Sequence, residues 1–192
     1  MNKSGTTIYV REVYKTANTI LEYGSGGSTI MAAGFYNKKI ISVENDLDWA
    51  KNMDEYIETT TVHSKPIIYP VNVGETGKWA KPKNSLLWEN FHKYPLSVWG
   101  ESFFENPDVI LIDGRFRVAC FVTAYLKVVK PTIVLFDDYL NRDYYHIVEI
   151  LVKPTEFIGR MARFDLNKLE NIPREHLEWM IQYYNKVTYS TE

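Results

Sequence analysis

One cysteine in 192 residues excludes a disulfide within the chain, and Cys120 lies in an apolar helical pattern that reads as core packing. No apolar stretch approaches the length of a membrane span, and Met1-Asn2-Lys3-Ser4-Gly5 lacks the apolar run of a secretory leader. An excess of either charge is missing too: 22 basic residues face 24 acidic ones, for a net charge of −2, and no basic run is present to recruit nucleic acid or an anionic membrane. Internal repeats and low-complexity stretches are absent. These absences predict a cytoplasmic protein in a reducing compartment, with neither nucleic acid nor membrane as its partner. The length suits one domain, residues 1–192, with a sizeable core.

Glycine is scarce as well, ten in all, yet three fall within four positions at Gly24, Gly26 and Gly27. Ile20 and Leu21 suit a buried strand that ends in an acid, Glu22, before the chain breaks into Gly24-Ser25-Gly26-Gly27. Ser28 or Thr29 can cap a helix that continues through Ile30, Met31, Ala32 and Ala33. Backbone N–H groups at such a helix start are unpaired and suit an electron-rich group. Glu22 narrows the choice of ligand. A pyrophosphate would be repelled by a carboxylate two residues before the first glycine, whereas an ammonium would be attracted.

A second acid, Glu44, ends the strand Lys39-Ile40-Ile41-Ser42-Val43 and lies 22 residues after Glu22. One strand-helix-strand unit brings that strand end beside the glycine turn, where a carboxylate can accept hydrogen bonds from ribose hydroxyls. Asp46 or Asp48 can cap the next helix, whose Trp49, Met53, Tyr56 and Ile57 share one face.

With its acid-x-Gly-x-Gly core, the chain resembles the class I S-adenosylmethionine-dependent methyltransferases over roughly residues 17–140. The resemblance implies S-adenosylmethionine as cofactor, held by Glu22, Gly24, Ser25, Gly26, Gly27, Ser28 and Thr29 at the first strand and by Glu44 and Asn45 at the second. It implies that Asn72, with Val73 after the third strand, reads the adenine amino group. Methyl transfer to a small-molecule acceptor is the implied activity, with oxygen the favoured acceptor atom. No Asn-Pro-Pro-Tyr signature of nucleic-acid methylation is present. Two other readings stay open: a non-catalytic cofactor-binding or interaction module, and another enzyme of the same fold class.

Two further apolar runs end in acids. Val109-Ile110-Leu111-Ile112 leads into Asp113-Gly114, and Thr132-Ile133-Val134-Leu135-Phe136 leads into Asp137-Asp138. Asp113, Asp137 and Asp138 therefore share one rim, where like charges repel unless a cation sits among them or one is protonated. In the metal-dependent O-methyltransferases that the chain resembles, acids at these positions bind Mg²⁺ or another divalent cation, and the cation lowers the pKa of the acceptor hydroxyl. Alternatively Arg115 or Arg117 pairs with these acids, and a carboxylate, Asp113 or Asp138, serves as general base. Asp113 also stands beside the expected cofactor.

The stretch between residues 74 and 104 has weak periodicity and many aromatics. It is expected to form a lid or substrate wall, or else to pack on the core, and His92 within it is a candidate base. Aromatics make up 15% of the chain, which suits a flat-ligand pocket or the subunit interface of a homo-oligomer. Phe157-Ile158 and Met161 to Phe164 flank a turn at Gly159-Arg160, and a final helix runs from Pro173 past Tyr183. The expected fold is α/β: a doubly wound, mostly parallel Rossmann-like methyltransferase sheet with an antiparallel C-terminal edge.

Overall fold

The apolar runs become neighbouring strands of one sheet. A computed structural model describes residues 3–188, and side chains from residue 5 to residue 184. After a leading helix α1 (Lys3–Thr16) come β1 (Thr19–Tyr23), α2 (Gly27–Ala33), β2 (Lys39–Glu44), α3 (Leu47–Thr59) and β3 (Ile67–Pro70). Two one-turn helices, α4 (Trp88–Phe91) and α5 (Lys93–Leu96), precede β4 (Val109–Ile112), α6 (Arg117–Lys127) and β5 (Thr132–Phe136). A 3₁₀ stretch at Asp143–Ile150 comes next, followed by β6 (Glu156–Ile158), β7 (Met161–Leu166) and α7 (Arg174–Thr188).

The seven-stranded sheet has the order β3-β2-β1-β4-β5-β7-β6. Pairing is parallel from β3 through β5, and β7 runs antiparallel to both of its neighbours. Every residue of β1 and β4 is buried, which is why these strands read as unbroken apolar runs rather than alternating ones. On one face Val10, Tyr14, Ala32 and Ala33 pack against Ile20, Ile40, Val109 and Leu111. On the other, Phe121, Ala124 and Met180 pack with Leu21, Ile110 and Phe136. The chain order reverses between β1 and β4, so the crevice beyond the carboxyl ends of β1, β2, β4 and β5 is where such a sheet receives ligands.

That reversal places two backbones in contact. Gly24, at φ +103°, and Gly114 abut so closely that a Cβ on Gly24 would lie 2.9 Å from the Gly114 Cα. Only glycines allow β1 and β4 to end side by side in this way.

Candidate active site at the carboxyl ends of the strands

Glu22 is placed differently from expectation. It is fully buried beneath the glycine turn, on the α1 side of the sheet. Its Oε1 accepts from the Tyr14 hydroxyl at 2.8 Å and its Oε2 from the Thr29 hydroxyl at 2.5 Å. Thr29 Oγ1 in turn accepts from the Gly26 N–H at 2.9 Å. The acid thus shapes the loop through Thr29, itself fully buried. Burial pushes the Glu22 carboxyl above its ordinary range, against the pull of the Thr29 and Tyr14 hydroxyls. Tyr14 lay outside sequence reasoning, because its bond to Glu22 depends on how α1 lies against β1.

Gly26 and Gly27 present the other side of the loop. A Cβ at either position would meet nothing within 4 Å, so their backbone is open to an approaching group. Ser28 is half-buried beside them.

Glu44, only 4% exposed, is held by its neighbours. Its Oε2 accepts from the Ser25 N–H at 3.1 Å and the Ser25 hydroxyl at 2.9 Å. Its Oε1 accepts from the Asn45 and Asp46 N–H groups at 2.8 and 3.0 Å. A carboxylate offers about four acceptor sites, so a further donor must replace one of these, and the Ser25 hydroxyl is the one that can rotate away. Asp46 caps α3 by accepting from the Trp49 N–H. Trp49 and Tyr56 are exposed, contrary to the face expected for them, while Met53 and Ile57 are buried. The Trp49 indole N–H donates to the Ser25 carbonyl at 3.0 Å and so ties α3 to the glycine turn.

Asn45 is 1% exposed, and its Oδ1 is the buried side-chain atom without a hydrogen-bond partner among the described residues. Its Nδ2 donates to the Ala80 carbonyl at 2.7 Å. That carbonyl belongs to a small hairpin in which Thr76 bridges Pro82 and the consecutive residues Trp79 and Ala80 have φ of 64° and 57°. Thr76 also donates to Asp46 at 2.7 Å. The hairpin therefore covers the end of β2. Asn72 is exposed and spends one lone pair of its Oδ1 on the Gly74 N–H, while the Val73 side chain is buried and leaves only backbone to a ligand.

The 74–104 stretch is partly exposed and partly packed on the core, as one of its two expected roles requires. Trp79 and Leu86 are exposed, whereas Phe91, Tyr94 and Val98 enter the core. His92 is exposed, and its carbonyl accepts from the Tyr184 hydroxyl of α7. Its ring makes no hydrogen bond or ion pair with the rim acids among the described residues.

The rim acids do come together. One carboxylate oxygen each from Asp113, Asp137 and Asp138 lie within 4.8 Å of one another. Arginines reach five of their six oxygens. Arg160 grips both oxygens of Asp137, Nε to Oδ1 at 3.1 Å and NH2 to Oδ2 at 2.6 Å, and its Nε lies 2.8 Å from Asp138 Oδ1. Arg142 reaches Asp138 Oδ2 at 3.1 Å. Arg117, 6% exposed, donates to the Gly114, Asp113 and Asp137 carbonyls at 3.0, 3.0 and 2.7 Å. It also pairs with the Asp113 and Asp138 carboxylates at 3.1 and 3.6 Å. Burial alone would raise the Asp137 carboxyl, but the hydrogen bonds from Arg160 prevail and hold it below its usual range.

Asp113 differs from its two neighbours. Only its Oδ1 is paired, with Arg117, and 49% of its side chain meets solvent. Protein packed around the carboxyl, with the charges of Asp137 and Asp138, pushes it up to about 6 against the pull of Arg117. Asp138, the other carboxylate expected as a base, has both oxygens in ion pairs. Arg115 makes a single long bond, to the Gly114 carbonyl at 3.4 Å, and no ion pair among the described residues.

Neither a family model nor a curated protein matches the sequence. A solved structure does: a methyltransferase-like protein from Silicibacter pomeroyi is 36% identical over 95% of this chain and 94% of its own, with a TM-score of 0.87. The chain belongs to the class I S-adenosylmethionine-dependent methyltransferase family. More distant structures share the fold. They include an O-methyltransferase from Bacillus cereus, solved with S-adenosylhomocysteine (15% identity, 99% of this chain and 70% of that one, TM-score 0.51). An RNA methyltransferase from Salinibacter ruber, also with S-adenosylhomocysteine, matches over 91% of this chain and 96% of its own at 15% identity and a TM-score of 0.52. In this methyltransferase no described helix is long and apolar enough to cross a membrane.

Proposed function

We propose that this methyltransferase moves the methyl group of S-adenosylmethionine to a hydroxyl of a small-molecule acceptor, with Asp113 as the base. The reading rests chiefly on Asp113, the rim carboxylate with an oxygen outside the arginine network, half exposed and raised to about 6. A carboxyl in that range is ionised at neutral pH yet basic enough to draw a proton from a hydroxyl as its oxygen attacks.

The residues fit the cofactor. The open backbone of Gly26 and Gly27 would face it from the loop, Glu44 would take ribose hydroxyls once Ser25 turns aside, and the unpartnered Asn45 Oδ1 would accept from a donor such as a hydroxyl or amine of the adenosyl group. Bound there, the cofactor supplies an activated methyl group, so the chain's own task is to align the acceptor, exclude water and receive one proton. The hairpin over Asn45 serves the exclusion of water, and Arg115 offers a positive charge beside Asp113.

Calorimetry with S-adenosylhomocysteine on the wild type and Glu44→Ala tests the cofactor site, and radiolabelled methyl transfer to a panel of small hydroxylated acceptors tests the reaction. Micromolar binding lost in Glu44→Ala, with label appearing on a hydroxyl, is the expected result. No binding by the wild type overturns the whole reading, and binding without label on any acceptor points to a non-catalytic module.

A further inference from the structure

The three rim acids lie close enough together that their mutual spacing would admit an ion. The groups around them do not. Three carboxylates, Asp113, Asp137 and Asp138, are met by three guanidiniums, Arg117, Arg142 and Arg160, so the cluster is already charge-neutral. Both oxygens of Asp137 and both of Asp138 are engaged, which leaves one oxygen of Asp113. A Mg²⁺ ion asks for about six oxygens at about 2.1 Å, and a second protein ligand from Asp137 or Asp138 would bring it against the charge of Arg160 or Arg142.

We infer that Arg117 is the resident cation of this cluster, a positioning residue that ties the ends of β4 and β5 together and leaves no place for a divalent metal. Three carbonyls and two carboxylates converge on its guanidinium, the kind of oxygen cage that a metal ion receives elsewhere. The side chain is 5% exposed and also lies over the Tyr145 ring, 5.7 Å from its centroid, so it cannot swing out to make room. Its position opens α6, whose first turn carries no acid, and the unpaired N–H groups of that turn add further positive potential. The residue before it, Phe116, sits in the left-handed region at φ 52°, a conformation that costs about 1–3 kcal/mol in general and is kept where the surroundings demand it. That turn directs Arg117 back over the strand ends rather than out into solvent. Arg117 thereby holds Asp113 beside the acceptor site by a fixed charge instead of a dissociable ion.

Titration of the chelator-stripped full-length protein with Mn²⁺, followed by electron paramagnetic resonance, reads this directly. The wild type is expected to show no saturable site at or below about 1 mM, the weak end of ordinary calcium and magnesium modules. Arg117→Met and Arg160→Gln each leave an excess of negative charge and are expected to gain a saturable Mn²⁺ site at least about tenfold tighter than that 1 mM bound, about 1.4 kcal/mol. Arg160 is 41% exposed, so its variant keeps the test decisive if Arg117→Met does not fold. Saturable Mn²⁺ binding by the wild type that disappears in Asp137→Asn overturns the inference, as does a failure of folded Arg160→Gln to gain any. Binding of S-adenosylhomocysteine measured on the same samples is a separate readout, so a failure of the methyl-transfer reading is distinguishable from a failure of this one.

Discussion

Replacing Gly114 with alanine tests whether the two strand ends are as tightly joined as the geometry states. A Cβ there would lie 2.1 Å from the Tyr94 hydroxyl oxygen and 2.9 Å from both the Gly24 nitrogen and the Tyr23 carbonyl oxygen. The first contact is more than an ångström inside ordinary nonbonded separation, about 3.5 Å. Tyr94 has no route of escape, being fully buried with its ring 5.8 Å from those of Tyr23 and Phe116. The two backbone contacts cannot yield either, because the Gly24 N–H is bonded to Val43 at 2.8 Å and the Asp113 N–H to Tyr23 at 3.0 Å. Overpacking of a rigid site costs about 1–3 kcal/mol, and the upper end applies here. For a chain of this size that lowers Tm by about 6–12 °C. Tyr94→Phe removes the clashing atom, and with it a 3.3 Å bond to the Val43 carbonyl, at a cost of about 1 kcal/mol by itself. The double variant should therefore be more stable than the sum of the single losses by about 1–2 kcal/mol. Urea denaturation of the four proteins measures this coupling. A Gly114→Ala variant within 2 °C of wild type, about 1 kcal/mol or less, or strictly additive losses, would refute the reasoning.

Other consequences follow from the same site. Ser25→Ala removes the hydroxyl that competes for Glu44, so S-adenosylhomocysteine affinity should hold or rise up to about fivefold, one hydrogen bond's worth, in calorimetry; a tenfold loss would show that Ser25 itself grips the cofactor. Asp113→Asn should lower methyl transfer by about 10²–10⁴, and the wild-type rate should fall tenfold per pH unit below about 6, where the base is protonated. A wild-type profile flat from pH 5 to 8, about the ordinary physiological range of titration, contradicts this. Glu22 binds its proton more tightly when folded than at its ordinary value of 4.5. Its stabilising share is therefore complete below that value and lost as pH rises through the folded pKa. The stability difference between wild type and Glu22→Gln should accordingly shift in favour of the variant from acid to neutral pH in denaturant titrations, and an opposite trend would mean that the hydroxyls of Tyr14 and Thr29 outweigh burial.

Periodicity and strand-end acids determine much of this protein's fold. Apolar runs that end in Glu22, Glu44, Asp113 and Asp137 marked the parallel strands and their carboxyl rim, because a strand buried on both faces has to be apolar throughout and its functional groups then fall at its end. The glycine turn was legible for the same local reason. What each acid touches was decided by tertiary structure. Glu22 lies below the loop because α1 brings Tyr14 against it, and Glu44 is saturated because the turn folds Ser25 onto it. Asp137 and Asp138 are closed by Arg142 and Arg160, and Arg160 arrives on the β6–β7 turn, 23 residues from Asp137. Hydrogen bonds and ion pairs of this range depend on how whole elements pack, which no local pattern of residues encodes. The sequence located the rim; the packing of helices and of the β6–β7 hairpin left Asp113, alone among its three acids, with an oxygen to spare among the described residues.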